Sequence, residues 1–178
     1  SLVPKENSDT NLKYLVAILN SSLMTYYHKA KFLDTEKITF PKILIANCKQ
    51  FPIKEFDNNN VFNSLVDYIL YCYNLDKETQ INAHVPNSHL IQLFEEVTDA
   101  MVMELYFEED FKKAGVEFIK YADRDFKSIE QLKTEEEKIE VIHEAYQTLR
   151  QKDNEIRNNL KLMDIKLADI VMPIKTAK

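Results

Sequence analysis

Ile38-Thr39-Phe40-Pro41-Lys42-Ile43-Leu44-Ile45-Ala46-Asn47-Cys48-Lys49-Gln50-Phe51-Pro52-Ile53 is the one stretch that reads as strand. Ile38, Phe40, Ile43 and Ile45 are β-favouring residues. Pro41 cannot donate to a ladder, which predicts an edge strand or one that starts after it. Lys49 to Ile53 leaves that strand as an extended X-Pro segment. The sequence on either side reads as helix. The expected fold is therefore mainly α with a small β element (α+β): a helical bundle around a short edge strand, followed by a long C-terminal helix or helix hairpin.

Composition narrows the function classes. The chain has 178 residues, enough for one domain or one small domain with an extension, and 45% of them are hydrophobic. It has a single glycine, Gly115. Phosphate-cradling loops need several glycines so that backbone can approach the ligand, so no standard nucleotide or cofactor turn is expected. The net charge is −6 and unevenly spread. Residues 1–60 carry eight lysines against six carboxylates, net +2, whereas residues 61–178 carry net −8. Any contact with a phosphate backbone is expected in the first third. Cys48 and Cys72 have no CxxC or histidine at ligand spacing and read as reduced, structural cysteines, with a cytoplasmic location expected. The opening SLVPKENS lacks an initiator Met and reads as a cut point within a longer chain.

Taken in order, the sequence predicts a helix from Thr10 to Lys31, capped by Ser8 or Asp9. Its apolar stripe is Leu12, Leu15, Val16, Leu19, Leu23 and Tyr27. Asn20-Ser21-Ser22 breaks that stripe with poor helix formers, suited to a close crossing or a polar contact. His28, Lys29 and Lys31 complement the dipole at its end. A second helix is predicted from Val61 to Leu75, with Phe62, Leu65, Val66, Ile69, Leu70 and Tyr73 inward. A third runs from Ser88 to Phe107, with Met101 and Met103 as core filler. Glu108-Glu109-Asp110 reads as N-terminal charge of a short helix ended by Gly115. His84 and His89 read as solvent-exposed loop histidines, since no Cys or acid sits at matching spacing for a metal, and Asp123 with Asp125 lacks the lysine two residues on that a PD-(D/E)xK nuclease needs. From 128 to 171, Ile139, Ile142, Tyr146, Leu149, Ile156, Leu160, Met163, Leu167 and Ile170 step by threes and fours. One unbroken helix there would be ~66 Å long at about 1.5 Å per residue. Asp153-Asn154 and Asn158-Asn159 are weak formers, so a break near 153 and a hairpin packed on the earlier helices is the favoured alternative.

Three motifs in order carry a family resemblance. Leu19-Asn20-Ser21-Ser22-Leu23, then Phe40-Pro41-Lys42-Ile43, then Lys49-Gln50-Phe51-Pro52-Ile53 resemble the C-terminal specificity domain of TaqI-like enzymes. These are type IIG restriction–modification proteins and Eco57I-like adenine-specific DNA methyltransferases. Phe94-Glu95-Glu96-Val97 through Met103-Glu104-Leu105-Tyr106-Phe107 resembles a helix found in many of them, so the likeness spans roughly residues 12–110. Ala46-Asn47-Cys48 departs from the leucine-containing approach usual before the Lys-Gln pair.

The resemblance implies a fragment that holds and orients double-stranded DNA. An upstream methyltransferase domain would bind S-adenosylmethionine and flip the target adenine. No cofactor is expected in this chain, and the chain alone should be non-catalytic. The expected phosphate contacts are Lys29, Lys31, Lys37, Lys42 and Lys49, with Asn47 and Gln50 able to reach a base edge. The expected division is residues 1–57 as part of the target-recognition region, 58–127 as a helical subdomain and 128–178 as a coiled-coil-like extension. A homo-oligomer through the C-terminal helix is a further expectation, and no membrane partner is expected. The alternative is a helical protein–protein module that braces the methyltransferase domain or a partner subunit; the acidic residues 61–178 favour it.

Overall fold

The computed structural model describes residues 11–32, 45–76 and 78–177. They form helices α1 (Leu12–Asn20), α2 (Ser22–Phe32), α3 (Ile45–Cys48), α4 (Val61–Asn74) and α5 (Asn87–Tyr106). These are followed by α6 (Glu108–Ala114), α7 (Ile119–Asp125), α8 (Glu135–Arg150), α9 (Glu155–Lys166) and α10 (Ala168–Lys175). The expected edge strand is corrected: residues 38–44 lie outside the described residues, and Ile45–Cys48 is a helical turn. Among the described residues the only β pairing is an isolated bridge between Asn82 and Val85. Among the described residues no strand lies beside Ile45 to satisfy its local β preference, and short preferences of this kind yield to tertiary context.

The core is built on α4 and α5, which pack along each other, with α1 against α4 and α2 against α5. Phe62, Leu65, Tyr68, Leu90, Phe94, Val97 and Met101 are fully buried at this centre. Tyr68 meets Phe94 edge-on at 5.4 Å between ring centroids, and both meet Phe126. Such T-shaped pairs align ring edge with ring face, which adds to the area they bury.

The predicted single helix over 10–31 is two. Ser21 is extended, and its Oγ accepts from the Met24 N–H at 3.2 Å while donating to the Ile18 carbonyl at 2.7 Å. The first helix starts at Leu12 under Asn11, whose side chain accepts from the Tyr14 N–H; the expected caps Ser8 and Asp9 lie outside the described residues. The buried face also differs from the expected stripe. Tyr14, Ala17 and Ile18 face the core, while Leu12 and Val16 stand in solvent. In α4, likewise, Leu70 and Tyr73 are exposed where Tyr68 and Cys72 are buried. In both helices apolar side chains continue past the edge of the buried face, so spacing alone leaves that edge open.

The stretch 128–171 is not one helix. Thr134 opens α8 with a capping box to Glu137. The chain turns at 151–154, and Asn154 caps α9 by accepting from the Arg157 N–H at 3.0 Å. A final helix, α10, folds back onto α2. Ile142, Tyr146, Leu149, Ile156, Leu160, Met163 and Leu167 are buried, as the stripe required.

Gly115 ends α6 in the left-handed conformation, φ 65°, with its N–H and that of Val116 closing onto the last turn. A Cβ at Gly115 would meet nothing within 4 Å. Gly115→Ala is therefore expected to cost only the backbone strain of positive φ, about 1 kcal/mol, read as a lowered midpoint in urea with unchanged slope.

Candidate nucleic-acid interface

The end of α2 and the segment 45–54 meet through aromatic rings. Phe51 packs against Tyr27 at 6.0 Å, His28 at 6.1 Å and Phe32 at 6.4 Å. This joins two stretches, 22–32 and 45–54, that together hold four lysines and no carboxylate. Lys29, Lys31, Lys49 and Gln50 are exposed and Asn47 is half-buried. The structure thus brings Lys29, Lys31, Asn47, Lys49 and Gln50 onto one body, while Lys37 and Lys42 lie outside the described residues.

The individual groups are partly engaged. Lys31 Nζ lies 5.1 Å from the Tyr27 ring centre and 5.4 Å from that of Phe32, and donates to the Tyr27 hydroxyl at 2.6 Å. Lys29 Nζ donates to the Ala177 carbonyl, tying the C-terminal helix to α2. The Gln50 side-chain amide donates to the Ala46 carbonyl at 3.3 Å. His28 is buried, and its Nε2 has no hydrogen-bond partner among the described residues. Lysines are point charges on flexible stems and serve phosphates; the bidentate reading of guanine favours arginine, and neither stretch contains one.

A latch that the sequence did not suggest holds the segment in place. Tyr106 on α5 donates its hydroxyl to the Pro52 carbonyl and accepts the Lys54 N–H at 3.0 Å. Tyr14 on α1 donates to the Lys54 carbonyl at 2.6 Å, and Lys54 Nζ reaches the Leu105 carbonyl at 2.6 Å. Burial pushes the Tyr14 phenol up to about 12 and raises that of Tyr106, so both hydroxyls keep their protons. The Phe51-Pro52-Ile53 and Glu104-Leu105-Tyr106 motifs, fifty residues apart in the chain, are therefore two halves of one contact. Motif order could have hinted at this; the hydrogen bonds could not be read from spacing.

The polar notch at Ser21-Ser22 has a similar role. The Ser22 N–H donates to Asp99 Oδ1 at 2.9 Å, and the Ser22 hydroxyl donates to Oδ2 of the same carboxylate. Asp99 on α5 thus caps α2 from a distance and places a negative charge at its positive end. Glu104 does the same for α7, accepting the N–H groups of Phe118 and Ile119 at 2.7 and 2.8 Å.

Asp125 and Glu155 join α7 to the start of α9. The Asp125 side chain, 6% exposed, takes the Arg124 Nε at 2.6 Å and the Asn154 amide at 2.9 Å. Arg124 also forks onto Glu155, holding that carboxyl down at about 2. His84 and His89 are exposed, as expected. Among the described residues no group of three or more His, Cys, Asp or Glu is placed to hold a metal ion. Burial pushes the Cys72 thiol up to about 12, leaving it without thiolate character at neutral pH. No helix among the described residues is long and apolar enough to cross a membrane.

No curated protein and no solved structure matches the chain. Residues 1–53 match the family model of the TaqI-like C-terminal specificity domain, which ends short of the span to residue 110 that the motifs suggested.

Proposed function

We propose that this chain holds and orients double-stranded DNA as part of a restriction–modification enzyme. What carries this reading is the coincidence of two features. The family match ends at residue 53, and within it the end of α2 and the 45–53 segment form a lysine-bearing edge free of carboxylates. Lys29, Lys31 and Lys49 meet phosphates, Lys37 and Lys42 remain candidates by sequence alone, and Asn47 and Gln50 reach toward base edges. The latch at Tyr14 and Tyr106 keeps the edge rigid, so little ordering entropy is lost on binding.

The methylation step belongs to an upstream domain in this reading, acting on adenine with S-adenosylmethionine. The residues here do not fit that cofactor: Gly115, the one glycine, is used to end α6. The chain's part is binding and positioning alone, in the cytoplasm where such an enzyme acts.

The test is binding of a labelled duplex to this chain across a salt series. The triple variant Lys29→Ala, Lys31→Ala, Lys49→Ala is expected to flatten the slope of log affinity against log salt by about 3, with affinity down at least ~10-fold at low salt. Undetectable binding of the unaltered chain at low salt, or an unchanged slope in the variant, would sink the reading. A second reading, an interaction module, is favoured by the exposed apolar residues of α1 and α4.

A further inference from the structure

Helices α1 and α4 leave a groove of 460 Å³ above α5. Val16 and Ala17 line one wall, and Val66, Leu70 and Tyr73 line the other. Val16 is 39% exposed, Leu70 47% and Tyr73 62%, large apolar groups left in water beside a well-packed core. Leu12, 49% exposed, continues the α1 wall one turn back. Four such residues at helical spacing on two adjacent helices form a contiguous strip, and strips of this kind mark interaction sites more often than chance exposure does.

The polar lining decides the occupant. Glu95 and Asp99 line the groove and no lysine, arginine or histidine does. Asp99 is engaged at the start of α2. Glu95 accepts the Tyr73 hydroxyl at 3.2 Å, and its charge raises the Tyr73 phenol. A second copy meeting this face about a two-fold axis would bring acid toward acid, in a chain already at net −6. Two helices over a third, open on top, leave the space that one further helix fills when its aliphatic residues recur every three and four positions.

We infer that this groove docks an amphipathic helix of a partner protein, its apolar stripe flanked by lysine or arginine. The aliphatic stripe settles between Val16 and Leu70, and the flanking cation pairs with Glu95. The inference does not depend on the DNA reading and would survive its failure.

The probe is a synthetic helical peptide with leucine at i, i+3, i+4 and i+7 and lysine elsewhere, compared with a twin carrying glutamate for lysine. The lysine peptide is expected to bind, and the glutamate twin not. Leu70→Asp, at an exposed position that leaves the core intact, is expected to weaken binding roughly 10-fold or more, the scale of one buried aliphatic anchor. Glu95→Lys should reverse the preference between the two peptides. Circular dichroism confirms that both variants are folded. Three outcomes overturn the proposal. One is binding that Leu70→Asp leaves undiminished, which would put the peptide elsewhere on the acidic surface. Another is no binding of the lysine peptide. The third is self-association by light scattering that Leu70→Asp abolishes, which would make the occupant a second copy.

Discussion

Asp99→Ala is expected to destabilise the protein by about 3 kcal/mol in urea titration, because it removes both acceptors from Ser22 at once. Ser22 is 1% exposed, so its N–H and hydroxyl cannot turn to water for compensation. The charge at the positive end of α2 is lost as well, worth about 0.5 kcal/mol more. Asp99→Asn keeps one acceptor and should cost less than half as much. The interaction can be isolated by a double-mutant cycle with Ser22→Ala, which should show a coupling of about 1–2 kcal/mol. Additive effects would mean that Asp99 acts through neighbours other than Ser22. Since α2 carries Lys29 and Lys31, Asp99→Ala should also weaken duplex binding, although Asp99 bears the wrong sign to touch phosphate.

The second large effect concerns Glu104. Its carboxylate accepts two N–H groups at the start of α7, so Glu104→Ala should cost about 3 kcal/mol by orphaning both beside the fully buried Phe118. Its pH dependence separates it from an ordinary cap. Burial raises the Glu104 pKa, outweighing the two hydrogen bonds that lower it. A carboxyl with a folded pKa above its unfolded value, about 4.3, binds its proton more tightly in the folded chain. Its contribution is fully present below the unfolded pKa and is lost as pH rises through the folded one. Glu104→Gln, which keeps an acceptor and cannot ionise, should lack this decline. The stability difference between the two proteins, measured by urea midpoints from pH 4 upward, should therefore move in favour of the glutamine variant as pH rises, then level off. A difference that moves the other way would mean that the hydrogen bonds, not burial, set the balance.

Much of the helical content was legible because it rests on spacing and punctuation. α5 was placed within one residue at each end, and Gly115 was correctly assigned as the stop of α6. The heptad-like stripe is buried from Ile142 to Leu167, with Ile139 and Ile170 at its ends half-buried, and the break near 153 occurs where weak helix formers sit. The candidate site was partly legible. Lysine placement proposed the region, but the sequence offered no sign that Phe51 would insert among Tyr27, His28 and Phe32 and join the two lysine-bearing stretches. The latch from Tyr106 to Pro52 and Lys54 is long-range and stereospecific, so it leaves only an unexplained co-occurrence of motifs in the sequence.

Two misjudged faces share one cause. In α1 and α4 apolar side chains continue past the edge of the buried face, so the pattern admits more than one orientation, and the bundle chose those that bury Tyr14, Ile18 and Tyr68. Of the residues displaced outward, Val16, Leu70 and Tyr73 line the groove and Leu12 stands one turn back on α1. The strand expected at Ile45 failed for a related reason: β-propensity expresses itself only where another strand offers a ladder.

By itself, then, the sequence determined most of the helices, the ends of α5, the stop of α6 at Gly115 and the acidic and basic division of the chain. Each of these follows from local composition or period. Only the tertiary structure decided which face of α1 and α4 is buried, that Asp99 and Glu104 cap the starts of α2 and α7, that Phe51 packs among Tyr27, His28 and Phe32, and that the α1–α4 groove exists. Those depend on which surfaces meet, and a contact between separate helices leaves no period in the chain to be read.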